Sequence, residues 1–179
     1  MNETLKTISQ RYSCRDYQDK MLTDEELSVI LNAGIQAPSA MNRQLCEVFA
    51  ITDKKIIDEL ANAIIQVSIE RGDEKPIDHH FTYHAPILVI VSGPEYDSRR
   101  KEDGSCMLEN MFIAATSLQI GSCWINQLRD TQDIDIVRNF LTRLGIPVNH
   151  KVVGCAALGY PNQQSVPKEK NSNRIHVIK

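Results

Sequence analysis

Apolar residues recur along this chain with two distinct spacings. Helical spacing predicts a short helix over residues 4–10, a second opened by Thr23, and a third over 53–71 with Ile57, Leu60, Ile64 and Val67 on one stripe. Thr23-Asp24-Glu25-Glu26 spells a capping box, in which the hydroxyl accepts from a free backbone N–H while Glu26 reaches back. Leu27, Ile30 and Leu31 give that helix its apolar face, and Pro38 ends it by disfavouring helical geometry at Ala37. Strand-sized runs fall at 47–52 and 86–92. The second is continuously apolar, which predicts a strand covered on both faces.

A helix over 103–120 is apolar almost all round, through Met107, Met111, Phe112, Ala114, Ala115 and Leu118. Such a helix sits either at the centre of a domain or in a subunit interface. A short strand follows at 122–126, then a helix over 131–144 stopped by Gly145. Residues 152–158 form a strand of small residues that permits close packing, and 174–178 a last strand. No repeat, low-complexity stretch or Pro/Gly linker divides residues 1–179, which read as a single domain. Helices and strands both alternate and cluster, so the predicted architecture is an α+β three-layer sandwich with helices flanking a mixed sheet.

Composition narrows the function classes. The 179 residues are 42% hydrophobic and 24% charged, ordinary values for a globular chain with room for one good core. A net charge of -3 gives no electrostatic reason to expect nucleic acid or an acidic membrane as partner. No apolar run is long enough to span a bilayer, and the N-terminus lacks the basic start and apolar stretch of a secretory signal. The cysteines (Cys14, Cys46, Cys106, Cys123, Cys155) are odd in number and never form a C-x-x-C pair. That pattern suits reduced thiols in a cytoplasmic protein better than a disulfide framework or a metal cluster.

Four short segments could carry chemistry. If Arg11-Tyr12-Ser13-Cys14-Arg15 is extended, positions 11, 13 and 15 face one side, joining two guanidinium groups and a hydroxyl into a receptor for a phosphate or an electron-rich ring edge. Alone, it reads better as a solvated basic loop neutralised by Asp16 and Asp19. Within Ala37-Pro38-Ser39-Ala40-Met41-Asn42-Arg43-Gln44, Ser39 and Asn42 could bond a planar, polar-edged ligand, or Ser39 could simply cap a helix. Gly121-Ser122-Cys123-Trp124-Ile125-Asn126 carries the sole Trp, a core residue more often than a cofactor platform. Lys168 and Lys170 point one way in a polar tail. His79, His80 and His84 invite a metal reading, but no Glu sits beside the pair in the H-E-x-x-H sense and Pro86 follows at once, so surface or satisfied histidines are preferred. Cys14 and Cys123 have no obvious activating base and read as packing.

The ordered set is more specific than its members. I-S-Q-R-Y-S-C-R-D-Y, A-P-S-A-M-N-R-Q, H-A-P-I-L-V-I-V, D-G-S-C-M-L-E-N-M-F-I-A-A, I-G-S-C-W-I, A-L-G-Y-P and P-K-E-K occur in that order, and the chain resembles the nitroreductase family of FMN enzymes over nearly its whole length. The resemblance implies an intertwined homodimer with FMN at the subunit interface. It implies that Arg11, Ser13, Lys168 and Lys170 bind the FMN phosphate, with Tyr12 beside them and Arg15 near the ribityl chain or pyrimidine edge. Pro38, Ser39 and Asn42 would reach the flavin from the partner subunit, Trp124 and Ile125 would lie under the ring, and the backbone N–H of Asn126 would face flavin N5. The activity implied is transfer of hydride from NADH or NADPH, through FMN, to nitroaromatic, quinone or similar acceptors in a ping-pong cycle. No acid–base pair or nucleophile is needed, because the cofactor carries the electron chemistry. No G-x-G-x-x-G sequence offers a separate dinucleotide site.

Several residues depart from the family pattern: Tyr12 where a second Arg is frequent, Leu45-Cys46 where Pro-Trp is, Lys170 for a common Arg, and Asn126-Gln127 for a smaller turn. Residues 71–83 and 95–102, which would shape substrate access, are short and match no pattern. The alternative readings are a non-catalytic FMN reservoir or redox sensor, a dimeric structural module whose flavin site has decayed, and narrower chemistry such as reductive dehalogenation or flavin breakdown. The last would need lid elements that this short chain lacks.

Overall fold

A computed structural model of the chain describes residues 1–73, 79–164 and 166–178. Helix α1 (Glu3–Gln10) begins where the Asn2 side chain accepts from the Leu5 N–H. Helix α2 (Asp24–Ile35) opens on the predicted capping box: Thr23 Oγ1 accepts from the Glu26 N–H, and Glu26 Oε2 accepts from the Thr23 N–H at 2.8 Å. It ends at Ile35, three residues before Pro38. Strand β1 (Glu47–Ile51), helix α3 (Lys54–Glu70), strand β2 (Ile87–Pro94), helix α4 (Arg100–Ser117) and strand β3 (Gly121–Ile125) follow. Helices α5 (Gln127–Thr131) and α6 (Asp135–Arg143) and strand β4 (His150–Gly159) complete the layers.

The sheet order is β1-β2-β4-β3, and every pairing among these strands is antiparallel. The expected mixed sheet is therefore antiparallel throughout its four strands; among the described residues one isolated parallel bridge, Ser13 to Ser122, lies outside them, where the N-terminal segment runs beside β3. All of β2 is buried, as its continuous apolar run requires. Leu88 and Ile90 face a core with Ile57, Leu60, Ile64 and Leu141 from α3 and α6; Ile87, Val89 and Val91 face another with Ile30, Leu108 and Met111 from α2 and α4. Continuous burial here comes from helices on both faces of an antiparallel sheet.

The all-round apolar character of α4 follows from its place between α2 and the sheet. Gly34 of α2 lets Met111 approach so closely that a Cβ there would lie 2.8 Å from Met111 Cγ. On the sheet side, a Cβ at Gly154 would lie 2.7 Å from Trp124 Cζ2, so the small residues of β4 make room for the indole.

Two predicted elements take a different form. The helix expected over 131–144 is broken at residues 132–134. The buried Gln132 side chain accepts from the Val152 N–H at 2.6 Å and donates to the Val152 carbonyl, a bond to β4 that draws the chain out of helical geometry. The last strand, expected over 174–178, is absent. A 3-10 turn at Ser172–Arg174 leads to a tail with Ile175, Val177 and Ile178 exposed. A strand needs a paired edge, and among the described residues this tail lies against none.

A cationic cavity at the edge of the sheet

Alternation along the N-terminal segment builds the site. Cys14 is buried, and its N–H donates to the Ser122 carbonyl at 2.9 Å, so Ser13 and Arg15 face outward from β3. Gly121 allows this approach: a Cβ there would stand 2.8 Å from Cys14 Sγ. The C-terminal segment returns to the same place. Tyr17 bridges to Pro161, and Asn162 donates to the Asp16 carboxylate at 2.7 Å. A cavity of about 520 Å³ results, lined by Arg11, Tyr12, Ser13, Arg15, Lys168 and Lys170 together with Cys14, Asp16, Gln163 and Val166. Residues some 155 positions apart in the chain thus converge on one cavity.

The expected neutralisation by Asp16 and Asp19 is partial: Asp16 lines the cavity but forms no ion pair with Arg11 or Arg15 among the described residues, and Asp19 is drawn away. Asp16 is engaged by Asn162, and Asp19 pairs with Lys54 at 3.2 Å. Arg11 instead meets Glu109 of α4 at 3.6 Å, a half-exposed and therefore weak pair. Among the described residues, Lys168 and Lys170 have no carboxylate partner. Four cations and a hydroxyl around one carboxylate, on a chain of net charge -3, suit a phosphate dianion.

Burial pushes the Cys14 and Cys123 thiols above their ordinary range, so both are packing residues rather than nucleophiles. Tyr12 packs against the core and lines the cavity with its remaining surface. Arg15 stands over the Tyr83 ring, 5.7 Å from its centroid, and a side-chain hydrogen bond with Tyr83 raises its pKa further.

The other predicted residues lie outside this cavity. Pro38 and Ser39 line a cavity of about 230 Å³ with Cys46, Asp103 and Met107. Ser39 Oγ accepts from the Gln44 N–H at 3.0 Å. Met41, Asn42 and Gln44 all have positive φ, at 54°, 53° and 51°. Three non-glycine residues in the left-handed region mark a loop whose shape is imposed by its anchors. Asp103 of α4 accepts from the Ala40 N–H, and Asp97 accepts from Arg43 at 2.6 Å. Asn42 is exposed at the tip. Burial, reinforced by Asp103 and Asp97, pushes the Cys46 thiol up to about 11.

Trp124 lies half-buried on β3, its Nε1 donating to Asn126 Oδ1 at 2.6 Å, and it lines a further cavity of about 460 Å³. The Ile125 side chain points into the core, so at the strand edge it presents backbone only. Asn126 is exposed just past the strand.

Sequence reasoning missed Tyr83, Asp103 and Glu109. Asp103 stands in the charged first turn of α4, after Arg100, Lys101 and Glu102, so no sequence signal set it apart. Tyr83 was hidden among histidines. His80 is satisfied on both ring nitrogens, by Asp58 at 3.1 Å and Thr82 at 2.9 Å, and burial lowers its pKa. Part of the substrate-access segment, residues 74–78, lies outside the described residues.

The structure is thus an α+β sandwich with a cationic cavity of about 520 Å³ at its sheet edge. The chain belongs to the nitroreductase family, whose pattern matches residues 8–160. It is similar to a nitroreductase with bound FMN from Bacteroides fragilis NCTC 9343, at 40% identity over 100% of both chains with a TM-score of 0.93. A nitroreductase with bound FMN from Desulfitobacterium hafniense DCB-2 is 29% identical, also over 100% of both chains, with a TM-score of 0.90. The NADPH-flavin oxidoreductase of Vibrio harveyi is 28% identical over 99% of this chain and 73% of its own length.

Proposed function

We propose that this protein is an FMN-dependent oxidoreductase that draws electrons from NADH or NADPH and delivers them to nitroaromatic, quinone or similar acceptors. The convergence of Arg11, Ser13, Lys168 and Lys170 on one cavity carries the reading. Those four residues would hold the FMN phosphate, and Tyr12 would wall the cavity beside them. Arg15 stands where its fixed positive charge would meet the ribityl chain or the pyrimidine edge. Trp124 and the backbone of Ile125 would support the ring, with the Asn126 N–H directed at N5. Bound FMN supplies the redox chemistry, two electrons taken from the pyridine nucleotide and passed to the acceptor.

Within one protomer Pro38 and Ser39 line a cavity other than the cationic one, and Asn42 lines neither. They would complete the site of a second copy, which makes the working unit a homodimer. Donor and acceptor would then occupy the same face in turn, and the kinetics would be ping-pong.

Initial rates measured with NADPH or NADH at several fixed quinone concentrations test this reading. Parallel double-reciprocal lines are expected. Intersecting lines would contradict the shared site, and absence of turnover in FMN-loaded protein would leave the reservoir or sensor reading in its place.

A further inference from the structure

The turn before β2 is shaped in a way that local sequence preference does not favour. Tyr83 and His84 adopt φ of 56° and 58°, two consecutive non-glycine residues in the left-handed region. Such conformations persist only where the surroundings over-determine them. The bracing is visible on three sides. Phe81 and Thr82 are fully buried, the Tyr83 N–H donates to the His80 carbonyl at 2.8 Å, and the Ala85 N–H donates to the Thr82 carbonyl at 3.1 Å. The His80 ring spans from Thr82 to Asp58 of α3, fixing the turn to the helix layer.

What this turn delivers is one phenol. The Tyr83 ring lies beneath the Arg15 guanidinium, 5.7 Å from its centroid. Arg15 is otherwise an exposed side chain, and its nearest acidic neighbour, Asp16, is turned toward Asn162. An unheld arginine at a solvent edge would sample many rotamers, and its charge would act weakly on any group beside it. Stacking on the ring restricts it in orientation.

We infer that Tyr83 is a positioning residue: it fixes Arg15 at the flavin ring edge and so sets how much more tightly the reduced cofactor is held than the oxidised one. This rests on the placement of Arg15 at the ring edge in the reading above. The strained turn at Tyr83 and His84 then has a purpose, since it holds a side chain from the entrance of strand β2 under a residue of the N-terminal segment.

The test is the midpoint potential of bound FMN, read by anaerobic dye titration in Arg15→Gln, Tyr83→Leu, Tyr83→Phe and the Arg15→Gln/Tyr83→Leu double variant. Thermal melting reports folding in each, and Tyr83→Phe, which keeps the ring, is the variant least able to disturb the turn. Arg15→Gln should lower the preference for reduced FMN about tenfold, a shift of about 30 mV for a two-electron couple. Tyr83→Leu should shift it in the same direction, Tyr83→Phe by less, and the double variant no further than Arg15→Gln alone. A shift in Arg15→Gln with none in either Tyr83 variant would overturn the role of Tyr83 and leave Arg15 where it is. No shift in Arg15→Gln would overturn both.

Discussion

Gly121→Ala tests how the site is built. Its Cβ would stand 2.8 Å from Cys14 Sγ, 2.9 Å from Cys14 Cβ and 3.2 Å from the Gly159 carbonyl. Carbon atoms in good contact lie about 3.5–4.0 Å apart, so Cys14 must retreat by roughly 0.6–1 Å. Neither neighbour is the free end of a flexible side chain. Cys14 Cβ sits on the backbone that donates to Ser122, and Gly159 lies on the paired strand β4. Overpacking of this kind costs about 1–3 kcal/mol. The same movement carries Ser13 and Arg15 away from the cavity, and losing one charged hydrogen bond costs a further ~1.5–3 kcal/mol of cofactor affinity, roughly 10- to 150-fold. Urea denaturation of the apo protein and fluorescence titration with FMN read the two effects separately. Cys14→Gly in the same chain should recover part of both losses. Wild-type stability together with wild-type FMN affinity in Gly121→Ala would refute the close docking of the N-terminal segment on β3.

Other perturbations address single groups. Arg11→Ala should weaken FMN binding by about 1.5–3 kcal/mol, because it removes a cation and leaves the Glu109 carboxylate uncompensated near the phosphate; an unchanged Kd would mean the phosphate lies elsewhere. Asp103→Ala removes the acceptor of the Ala40 N–H and should loosen the strained loop, lowering FMN affinity by about 1–3 kcal/mol. Retention of full affinity would detach that loop from the flavin. Glu26 is held below its ordinary value of 4.5 by the Tyr160 hydroxyl and then by the Thr23 N–H. Its contribution to stability is therefore present above that value and lost as pH falls through the lowered one. Wild type should melt above Glu26→Gln at pH 7, and the gap should close in melts taken below about pH 4.5; a gap independent of pH would contradict the assignment.

What was legible in the sequence was local. The Thr23–Glu26 capping box, the Pro38 stop and the buried run of β2 depend on neighbours in the chain or on simple periodicity, and all three stand in the fold. The break after Thr131 was hidden because it is made by Gln132 bonding to β4, some twenty residues away. The tail beyond Asn171 has strand composition, but pairing depends on an edge that composition does not reveal. The site divides in the same way. Alternation in Arg11, Ser13 and Arg15 could be read directly, and the two terminal lysines could be listed beside them only through the family resemblance. That Asp16 and Asp19 turn away, that Glu109 meets Arg11 and that Tyr83 lies beneath Arg15 are consequences of packing between distant segments. Asp103 stands among the charged residues that open α4, and its partner, a backbone N–H of the 38–44 loop, was equally hidden.

The most direct measurement is the absorbance spectrum of the purified protein, recorded before and after anaerobic addition of NADH or NADPH. The site described predicts a yellow protein with FMN bound, which bleaches on addition of the nucleotide and regains its colour with a nitroaromatic or quinone. A colourless protein that takes up no added FMN would contradict it.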